Sequence, residues 1–262
     1  MSDLIYGINP VREALRGELR RPLELFVLQA ARSRRLDELA GLAQQANVPL
    51  RPRERRDLDR LAGHGHHQGA LLRVAPFAYL QLSELITRWR NSGRRALFLL
   101  LDGITDPHNF GAILRSAEAA GCHGVIVAQD RACPVTPTVE KAAVGALAHL
   151  PVCQVVNLSR TLEELKQEGV WVYGLAGEEG VASLYRIDMT GDLALVVGSE
   201  GAGLRPNVRR HCDHLLAIPL RGGVSSLNAS VATGIALFEA ARQRAGGGEE
   251  RRGAGETAEN NR

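Results

Sequence analysis

The chain has 262 residues, 45% of them hydrophobic and 23% charged, which is the balance of a soluble globular protein with one large domain or two ordinary ones. Its apolar runs are shorter than the roughly 20 residues that a membrane helix requires, and the N-terminus lacks the basic and apolar regions of a secretory signal. The four cysteines are scattered without a Cys-x-x-Cys pair. We therefore predict a cytoplasmic protein with free thiols and no membrane span.

The positive charge is unevenly distributed along the chain. The formal net charge is +3, but residues 1–75 hold 13 Lys and Arg against 9 Asp and Glu, whereas the remainder holds 19 against 20. A local excess of this kind suits a phosphate backbone. The mixed-sign stretch 51–60 also fits an ordinary solvated helix face, so charge alone leaves nucleic-acid binding open.

The N-terminal quarter alternates short strands and helices. Asn9-Pro10 is typical of a helix start, with the helix ending near Gly17. Further strands are predicted at 23–29, 48–50 and 69–74, and further helices after Ser33 and at 54–61. Residues 1–74 therefore form a small α/β unit in this prediction, followed by a linker, 75–95, that contains one helix at 82–89.

Residues 96–245 have a different pattern, in which near-continuous apolar strands alternate with helices. The predicted strands are 96–102, 124–129, 152–156, 170–175, 193–198 and 214–220, and the predicted helices are 109–120, 136–147, 162–168 and 227–244. Strands that are apolar on both faces predict a parallel sheet covered by helices. The last helix carries an apolar stripe formed by Leu227, Val231, Ile235, Phe238 and Ala241. The segment 246–262 lacks large apolar residues and is predicted to be disordered.

Three loops rich in Gly, Asn and Ser each follow the carboxyl end of an apolar strand, at 102–116, 198–204 and 220–228. In a parallel sheet these strand ends lie along one edge, where open α/β sheets bind ligands. Glycines allow a close backbone approach, and Ser226 and Asn228 place hydrogen-bonding groups at a helix N-terminus. Each loop alone also fits an ordinary turn or helix cap, with Asn109 as the cap of one helix and Ser226 or Asn228 as the cap of another. The convergence of the three predicts a binding site.

The common nucleotide and metal motifs are absent from the sequence. The run GSEGAG at 198–203 has the wrong order for a dinucleotide fingerprint and follows a late strand, and no Lys-Ser/Thr pair completes a phosphate-binding P-loop. His64, His66 and His67 lie among glycines without a neighbouring Cys or carboxylate, so we predict no metal site. The missing fingerprint argues against a nucleotide-dependent dehydrogenase.

The same loops carry motifs that resemble a known family. The segments DPHNFGAILRSAEAAG, LALVVGSEGAGLR and AIPLRGGVSSLNASVATGIAL resemble, in order and spacing, the three motifs of the SpoU family of RNA ribose 2′-O-methyltransferases. The segments YGINPVREAL and HQGALL resemble the ends of that family's substrate-binding domain, which is similar to a ribosomal-protein RNA-binding fold. Within the family, the chain most resembles members that methylate a guanosine in the peptidyl-transferase centre of 23S ribosomal RNA.

The resemblance implies an α/β fold whose C-terminal parallel-sheet domain is tied in a deep trefoil knot around S-adenosyl-L-methionine. It also implies a homodimer formed through the knot region, with catalytic residues from both protomers. The implied catalytic residues are Asn109, Arg115, Glu200, Ser226 and Asn228. The implied cofactor-binding residues are Gly198, Gly203, Ile218 and Leu227. A transfer-RNA ribose methyltransferase and a non-catalytic RNA-binding assembly factor remain alternatives, although the intact polar motif residues count against the second.

The implied reaction is in-line attack of a ribose 2′-hydroxyl on the sulfonium methyl group, so the protein must chiefly align the reacting atoms. Proposed mechanisms for the family treat the position of Arg115 as the base that removes the hydroxyl proton. A guanidinium, however, stays protonated far above neutral pH. We therefore predict that Arg115 orients a phosphate and that Glu200 holds Arg115, across the dimer or within one protomer. Ser226 and Asn228 are expected to orient the ribose or the cofactor carboxylate. The basic N-terminal domain is expected to bind RNA by shape and phosphate.

Overall fold

The structure, a computed structural model, describes residues 3–29, 33–63, 65–178 and 180–256, with side chains through residue 245. The chain forms two compact units. The first comprises Met1–Tyr79, Asp106–Glu118 and Cys133–Val152, and the second comprises Leu80–Thr105, Ala119–Ala132 and Cys153–Arg262. The domain boundaries at 74, 95 and 245 stay predictions.

The elements alternate along the chain much as the apolar pattern predicts. The strands are β1 (Asp3–Tyr6), β2 (Pro22–Leu28), β3 (Leu50–Arg53), β4 (Ala70–Val74), β5 (Leu97–Asp102), β6 (Gly124–Ala128), β7 (Val152–Val155), β8 (Trp171–Leu175), β9 (Ala182–Ser183), β10 (Leu193–Gly198) and β11 (His214–Ala217). The helices are α1 (Ile8–Arg16), α2 (Arg34–Gln45), α3 (Arg55–Ala62), α4 (Leu82–Ser92), α5 (Pro107–Ala119), α6 (Pro137–Ala143), α7 (Leu158–Gln167), α8 (Pro206–Arg210) and α9 (Ala229–Glu256). The short elements β1, β9 and α8 were not predicted.

The first unit contains a four-stranded sheet in the order β1-β4-β2-β3. β4 runs antiparallel to β1 and β2, whereas β2 and β3 are parallel. α1 and α2 bury their apolar residues against one face of this sheet, where Leu25 and Leu72 are fully buried. On the other face α3 buries Leu58 against Phe26 and Leu71. Each sheet face therefore has its own apolar core.

α6 completes the first unit by packing against β1. The buried side chain of Arg20 lies 3.0 Å from Glu140 Oε1 on α6 and 3.2 Å from Asp3 Oδ2 on β1. The turn after α6 lies against the end of α1, since a Cβ at Gly17 would stand 2.3 Å from the carbonyl oxygen of Ala148. An ion pair and a close backbone contact thus join this helix to the N-terminal sheet.

The second unit contains a seven-stranded sheet in the order β7-β6-β5-β10-β8-β11-β9. The pairs β5–β6, β5–β10, β8–β10, β8–β11 and β9–β11 are all parallel, which confirms the predicted parallel sheet. β5 and β10 are buried at every position, as expected for central strands covered on both faces. α4, α7 and α8 contribute apolar side chains to one core with these strands. The trefoil knot stays a prediction.

Buried side chains and the hydrogen bonds of Arg244 hold α9 against the second unit. It buries Ala229, Thr233, Ala236, Leu237 and Ala240, whereas Val231 and Phe238 of the predicted apolar stripe are half-exposed. At its far end the Arg244 guanidinium donates to the carbonyl oxygens of Ala96 and Gly191, both at 2.7 Å. The small residues Ala and Thr allow this face of the helix to approach the unit closely, and Val231 and Phe238 lie on the outer face.

α9 continues to Glu256, into the segment 246–262 for which the composition predicts disorder. Residues 257–262 lie outside the described residues, and disorder of this segment stays a prediction. Across the part of the chain that is described, no helix combines the length and the apolar character that a membrane span requires.

Candidate active site

Three motif loops lie at the carboxyl edge of the seven-stranded sheet: the first loop (103–105) after β5, the second loop (199–205) after β10 and the third loop (218–228) after β11. β5 and β10 are neighbours, and their register places Gly198 directly beside Asp102. The carboxyl ends of parallel strands therefore bring these loops to one place, as the sequence predicts.

Asp102 fixes the second loop to the end of β5. Its side chain is completely buried, and its two oxygens accept hydrogen bonds from Arg205 N at 2.8 Å and Arg205 Nε at 2.5 Å. A buried carboxylate is stable only when its oxygens are paired in this way. The sequence did not point to a function for this pair, although an Asp that ends the apolar run ALFLLLD is a detectable signal.

The second loop is a tight turn that requires glycine. Ser199 and Gly203 exchange backbone hydrogen bonds of 2.9 and 3.1 Å, while Gly201 and Gly203 adopt positive φ angles of 80° and 64°. A Cβ at Gly198 would stand 2.1 Å from the carbonyl carbon of Gly203. Any side chain at position 198 would thus open the turn.

Glu200 connects the second loop to the third. Its Oε1 accepts from Asn228 Nδ2 at 2.7 Å and from the backbone N–H of Ala229 at 3.2 Å. A carboxylate also interacts favourably with the N-terminus of a helix, here that of α9. The structure therefore brings two predicted residues, Glu200 and Asn228, into direct contact. Binding of Arg115 by Glu200 stays a prediction.

Asn228 is also the N-cap of α9. Its Oδ1 accepts from the backbone N–H of Ser230 at 2.9 Å and from the Ser230 hydroxyl at 2.6 Å. Asn228 therefore caps α9, and its functional role stays a prediction. The side-chain amide and the carbonyl of one residue join the second loop, the third loop and the last helix.

The third loop begins earlier than predicted, because β11 ends at Ala217. Ile218 and Leu227 at its two ends are half-buried, whereas Ser226 is exposed. The loop also contains Gly222 and Gly223, and beyond their chain neighbours no atom lies within 4 Å of the place a Cβ would take. Its apolar ends and open middle leave room for a ligand to contact the backbone.

α5 carries the two remaining predicted residues, Asn109 and Arg115. The helix is capped by Asp106, whose Oδ2 accepts from the backbone N–H of Asn109 at 2.8 Å, and Pro107 is its first residue. The alternative in which Asn109 itself caps the helix is therefore wrong. The Asn109 side chain is half-buried and that of Arg115 is exposed, so the Arg115 guanidinium is accessible to an anion.

Two of the cysteine thiols and the His67 ring have local environments that favour a structural role. Burial raises the pKa of Cys122 and of Cys153 to about 12, so both stay protonated and unreactive near neutral pH. The His67 ring is buried, with Nε2 3.0 Å from Asp59 Oδ1 and Nδ1 accepting from Gly69 N–H at 2.9 Å. Among the residues described, no group of three or more His, Cys, Asp or Glu could hold a metal ion.

Two family models match most of the chain. The model of the SpoU rRNA Methylase family matches residues 96–238, which contain all three motif loops. The chain belongs to the SpoU family. A second model, described as RNA 2′-O ribose methyltransferase substrate binding, matches residues 4–80. The two matched segments together cover the chain except residues 1–3, 81–95 and 239–262.

Relatives and solved structures agree with the family. A Pseudomonas putida protein named 23S rRNA (guanosine-2′-O-)-methyltransferase RlmB is 45% identical over 93% of this chain and 98% of its own length. The SpoU methyltransferase AviRb from Streptomyces viridochromogenes, crystallised with AdoMet, matches 94% of this chain and 91% of its own at a TM-score of 0.78 and 27% identity. A TrmH/SpoU tRNA modifying enzyme from A. aeolicus covers only 64% of this chain and 86% of its own, with a TM-score of 0.55 and 29% identity.

Proposed function

We propose that this protein transfers a methyl group from S-adenosyl-L-methionine to the ribose 2′-hydroxyl of a guanosine in the peptidyl-transferase centre of 23S ribosomal RNA. The carrying observation is that the three motif loops meet at one edge of the sheet through Asp102–Arg205 and Glu200–Asn228. The relative that is 45% identical over nearly the whole chain has this activity in its name. Because ribosomal RNA is the substrate, we expect the enzyme to act in the cytoplasm.

The loops fit the methyl donor. Gly201, Gly203, Gly222 and Gly223 leave open space where a side chain would stand, so backbone N–H and C=O groups are accessible to a ligand. We assign Gly198 and Gly203 to the shape of the second loop, and the half-buried Ile218 and Leu227 to contact with the adenosine. The donor, when bound, supplies a sulfonium whose methyl group is already electrophilic.

The catalytic side chains then have to orient the RNA and the donor. Asn109 and Arg115 form the polar pair of α5, and Arg115 places a phosphate so that the neighbouring 2′-hydroxyl lies in line with the methyl group. Ser226 and Asn228 orient the ribose or the donor's carboxylate by hydrogen bonds, and Glu200 holds Asn228 in place. The hydroxyl proton leaves late, to water, because a guanidinium cannot accept it.

The role of Arg115 is tested with Arg115→Lys. We expect weaker RNA binding, partial turnover and an unchanged pH profile, because Lys keeps the charge but not the planar fork that binds phosphate. Loss of all turnover, with RNA affinity, cofactor affinity and pH profile unchanged, would contradict phosphate orientation.

Residues 4–80 support ribosomal RNA over transfer RNA as the substrate. The substrate-binding family model matches this segment, whereas the tRNA-modifying structure covers only about two thirds of the chain. A dedicated substrate-binding segment supports a large folded RNA as the substrate.

We further propose that the enzyme is a homodimer formed through the outer face of α9. Val231 and Phe238 on this helix are 50% and 51% exposed, and Val224 of the third loop is 66% exposed. Apolar side chains grouped on one face are typical of a protein–protein interface. A second copy of the chain on this face would place its residues close to the third loop.

The deciding experiment is labelled methyl transfer from S-adenosyl-L-methionine to unmodified 23S RNA and to unmodified transfer RNA, followed by mapping of the ribose methyl group. We expect one methylated guanosine in 23S RNA. Methylation of transfer RNA alone would support the tRNA alternative. If neither RNA is methylated and a titration detects no donor binding, the protein is a non-catalytic RNA-binding factor.

A further inference from the structure

One face of the four-stranded sheet is only partly covered. α3 is eight residues long, and the single residue it buries on this face is Leu58, against Phe26 and Leu71. β3 is an edge strand of the sheet, and all four of its residues are exposed. The uncovered part of the face is therefore open to solvent beside α3.

This opening is a pocket of about 530 Å³ with Phe26 at its floor and Glu24, Arg53, Asp57, Arg60 and Arg73 among its walls. We call it the arginine pocket. Its volume falls within the roughly 300–1,000 Å³ typical of small-ligand sites. Phe26 is buried, whereas Arg53 and Arg60 are exposed, so the pocket has an apolar base and charged walls.

Two guanidinium groups of the arginine pocket are held against Phe26. Arg73 Cζ lies 5.0 Å and Arg53 Cζ 5.9 Å from the ring centroid. These cation–π contacts restrict both side chains before any ligand binds. A planar guanidinium held in this way can stack a base on its free face and donate to a phosphate along its edge.

The charges of the arginine pocket do not cancel. Glu24 binds Arg73 at 2.8 Å and the neighbouring Arg51 at 3.1 Å, and Asp57 binds Arg60 at 2.6 Å. Among the residues described, Arg53 has no carboxylate within ion-pair distance, and its Nη1 donates only to the carbonyl of Pro52. The three arginines that line the pocket thus face two carboxylates, and Arg51 also shares Glu24, which leaves the positive charge of Arg53 unbalanced.

We propose that the arginine pocket binds an unpaired nucleotide of the RNA substrate, with its phosphate on Arg53 and Arg60 and its base stacked on a guanidinium plane. The proposal rests on the proposed function, because it assigns where the first unit contacts that RNA. Unpaired nucleotides fit this chemistry better than duplex RNA, whose bases are already stacked. An acidic peptide would use the charge but not the stacking surface.

The experiment compares Arg53→Glu with a matched control, Arg35→Glu, in the full chain. Arg35 is exposed on α2, which packs against the opposite face of the sheet. Binding to an unmodified 23S RNA transcript is measured over a range of salt concentrations. We expect Arg53→Glu to weaken binding at least tenfold and to reduce the salt slope by about 1, and Arg35→Glu to stay within twofold. Affinity for S-adenosyl-L-methionine stays unchanged in both variants.

Arg53→Lys separates stacking from charge, and it keeps the test valid if the charge reversal disturbs folding. Lys retains the positive charge without the planar group, so its affinity is expected to fall between those of the wild type and Arg53→Glu. Equal RNA affinity and equal salt slope for Arg53→Glu and Arg35→Glu would overturn the proposal. A wild-type protein that binds RNA through Arg53 but transfers no methyl group would instead refute the proposed function alone.

Discussion

Asp102 shows how a single residue organises the motif loops. It lies at the end of a strand that is buried throughout, so its charge has no access to water and depends on the two hydrogen bonds from Arg205. Because Arg205 is the last residue of the second loop, this interaction determines where the loop folds back. We therefore expect Asp102 to affect ligand affinity by positioning the second loop.

We predict that Asp102→Asn weakens binding of S-adenosyl-L-methionine at least tenfold. The amide cannot accept from both Arg205 groups, so the second loop loses its attachment to β5. Isothermal titration calorimetry measures the affinity directly. The control is Asp213→Asn. Asp213 also accepts a hydrogen bond from a strand backbone, the N–H of Val172, but near the amino end of β8. The positioning role is refuted if both variants bind the donor equally well.

Glu140 is a buried acid whose protonation affects stability. Burial raises its pKa to about 6, although the neighbouring Arg20 opposes the shift. Oε1 lies 3.0 Å from Arg20 Nη2 but makes no hydrogen bond in the part of the structure described. The ion pair is therefore too poorly aligned to offset the loss of hydration completely.

The raised pKa predicts that stability falls as pH rises. The folded state holds the Glu140 proton more tightly than the unfolded state, whose pKa is near 4.5. The free energy of unfolding should therefore drop by about 2 kcal/mol between pH 4.5 and pH 7 from this group alone. In Glu140→Gln the side chain stays neutral, so the variant's stability relative to wild type should rise by that amount over the same range.

Urea denaturation at several pH values measures this difference. Glu18→Gln is the control, because Glu18 is an exposed acid on the same segment as Arg20. Identical pH slopes for the wild type and Glu140→Gln would show that the buried acid is not linked to unfolding.

At the scale of elements, local apolar pattern predicted most of the helices and strands, and tertiary contacts decided the rest. The runs at β5 and β10 are apolar at nearly every position, so their strand character is unambiguous. β1 was missed because it is short and its partner β4 is distant in sequence. The orientation of α9 was not predictable from its apolar stripe, because its Ala and Thr residues allow the closer approach.

Close contact between α5 and α6 depends on Gly111. A Cβ at this position would stand 2.4 Å from Ala142 Cβ and 2.9 Å from the carbonyl oxygen of Val139. In α2, by contrast, a Cβ at Gly41 would meet nothing within 4 Å. A side chain at Gly111 would therefore clash, whereas a side chain at Gly41 would have free space.

Gly111→Ala and Gly41→Ala should therefore change stability in opposite directions. We expect Gly111→Ala to destabilise the protein by about 1–3 kcal/mol through overpacking. Gly41→Ala should stabilise it by up to about 1 kcal/mol, since alanine favours the helix. Chemical denaturation midpoints give both values. A stabilising effect of Gly111→Ala would mean that the two helices separate without cost.

At the scale of the whole molecule, the sequence predicted the parallel sheet and the meeting of its loops, but not its strand order. The loops were predictable because parallel strands end at one edge. The order was not, because β5 and β10 are distant in sequence and pair through contacts that local pattern does not encode. The arginine pocket was hidden for the same reason, since its residues come from three strands and a helix.

The outer face of α9 leads to a prediction about assembly. Phe238→Arg should convert the proposed dimer to a monomer, because a charge would replace an exposed apolar side chain on the proposed interface. Sedimentation velocity at micromolar concentration measures the change. Val156→Arg is the control, since Val156 is 83% exposed beyond the end of β7 and lies outside this face. A wild-type protein that sediments as a monomer would refute the homodimer.

The position of β10 has a consequence for the nascent chain. β5 and β6 are synthesised before β10. The backbone groups of β5 that later pair with β10 therefore stay unpaired while β7, α7, β8 and β9 are synthesised. β8 meanwhile has no direct partner among the earlier strands of its sheet, because its neighbours β10 and β11 both follow it. The central sheet, and with it the motif loops, is therefore completed near the end of translation. Chaperones that shield unpaired strand edges would have their largest effect before that point.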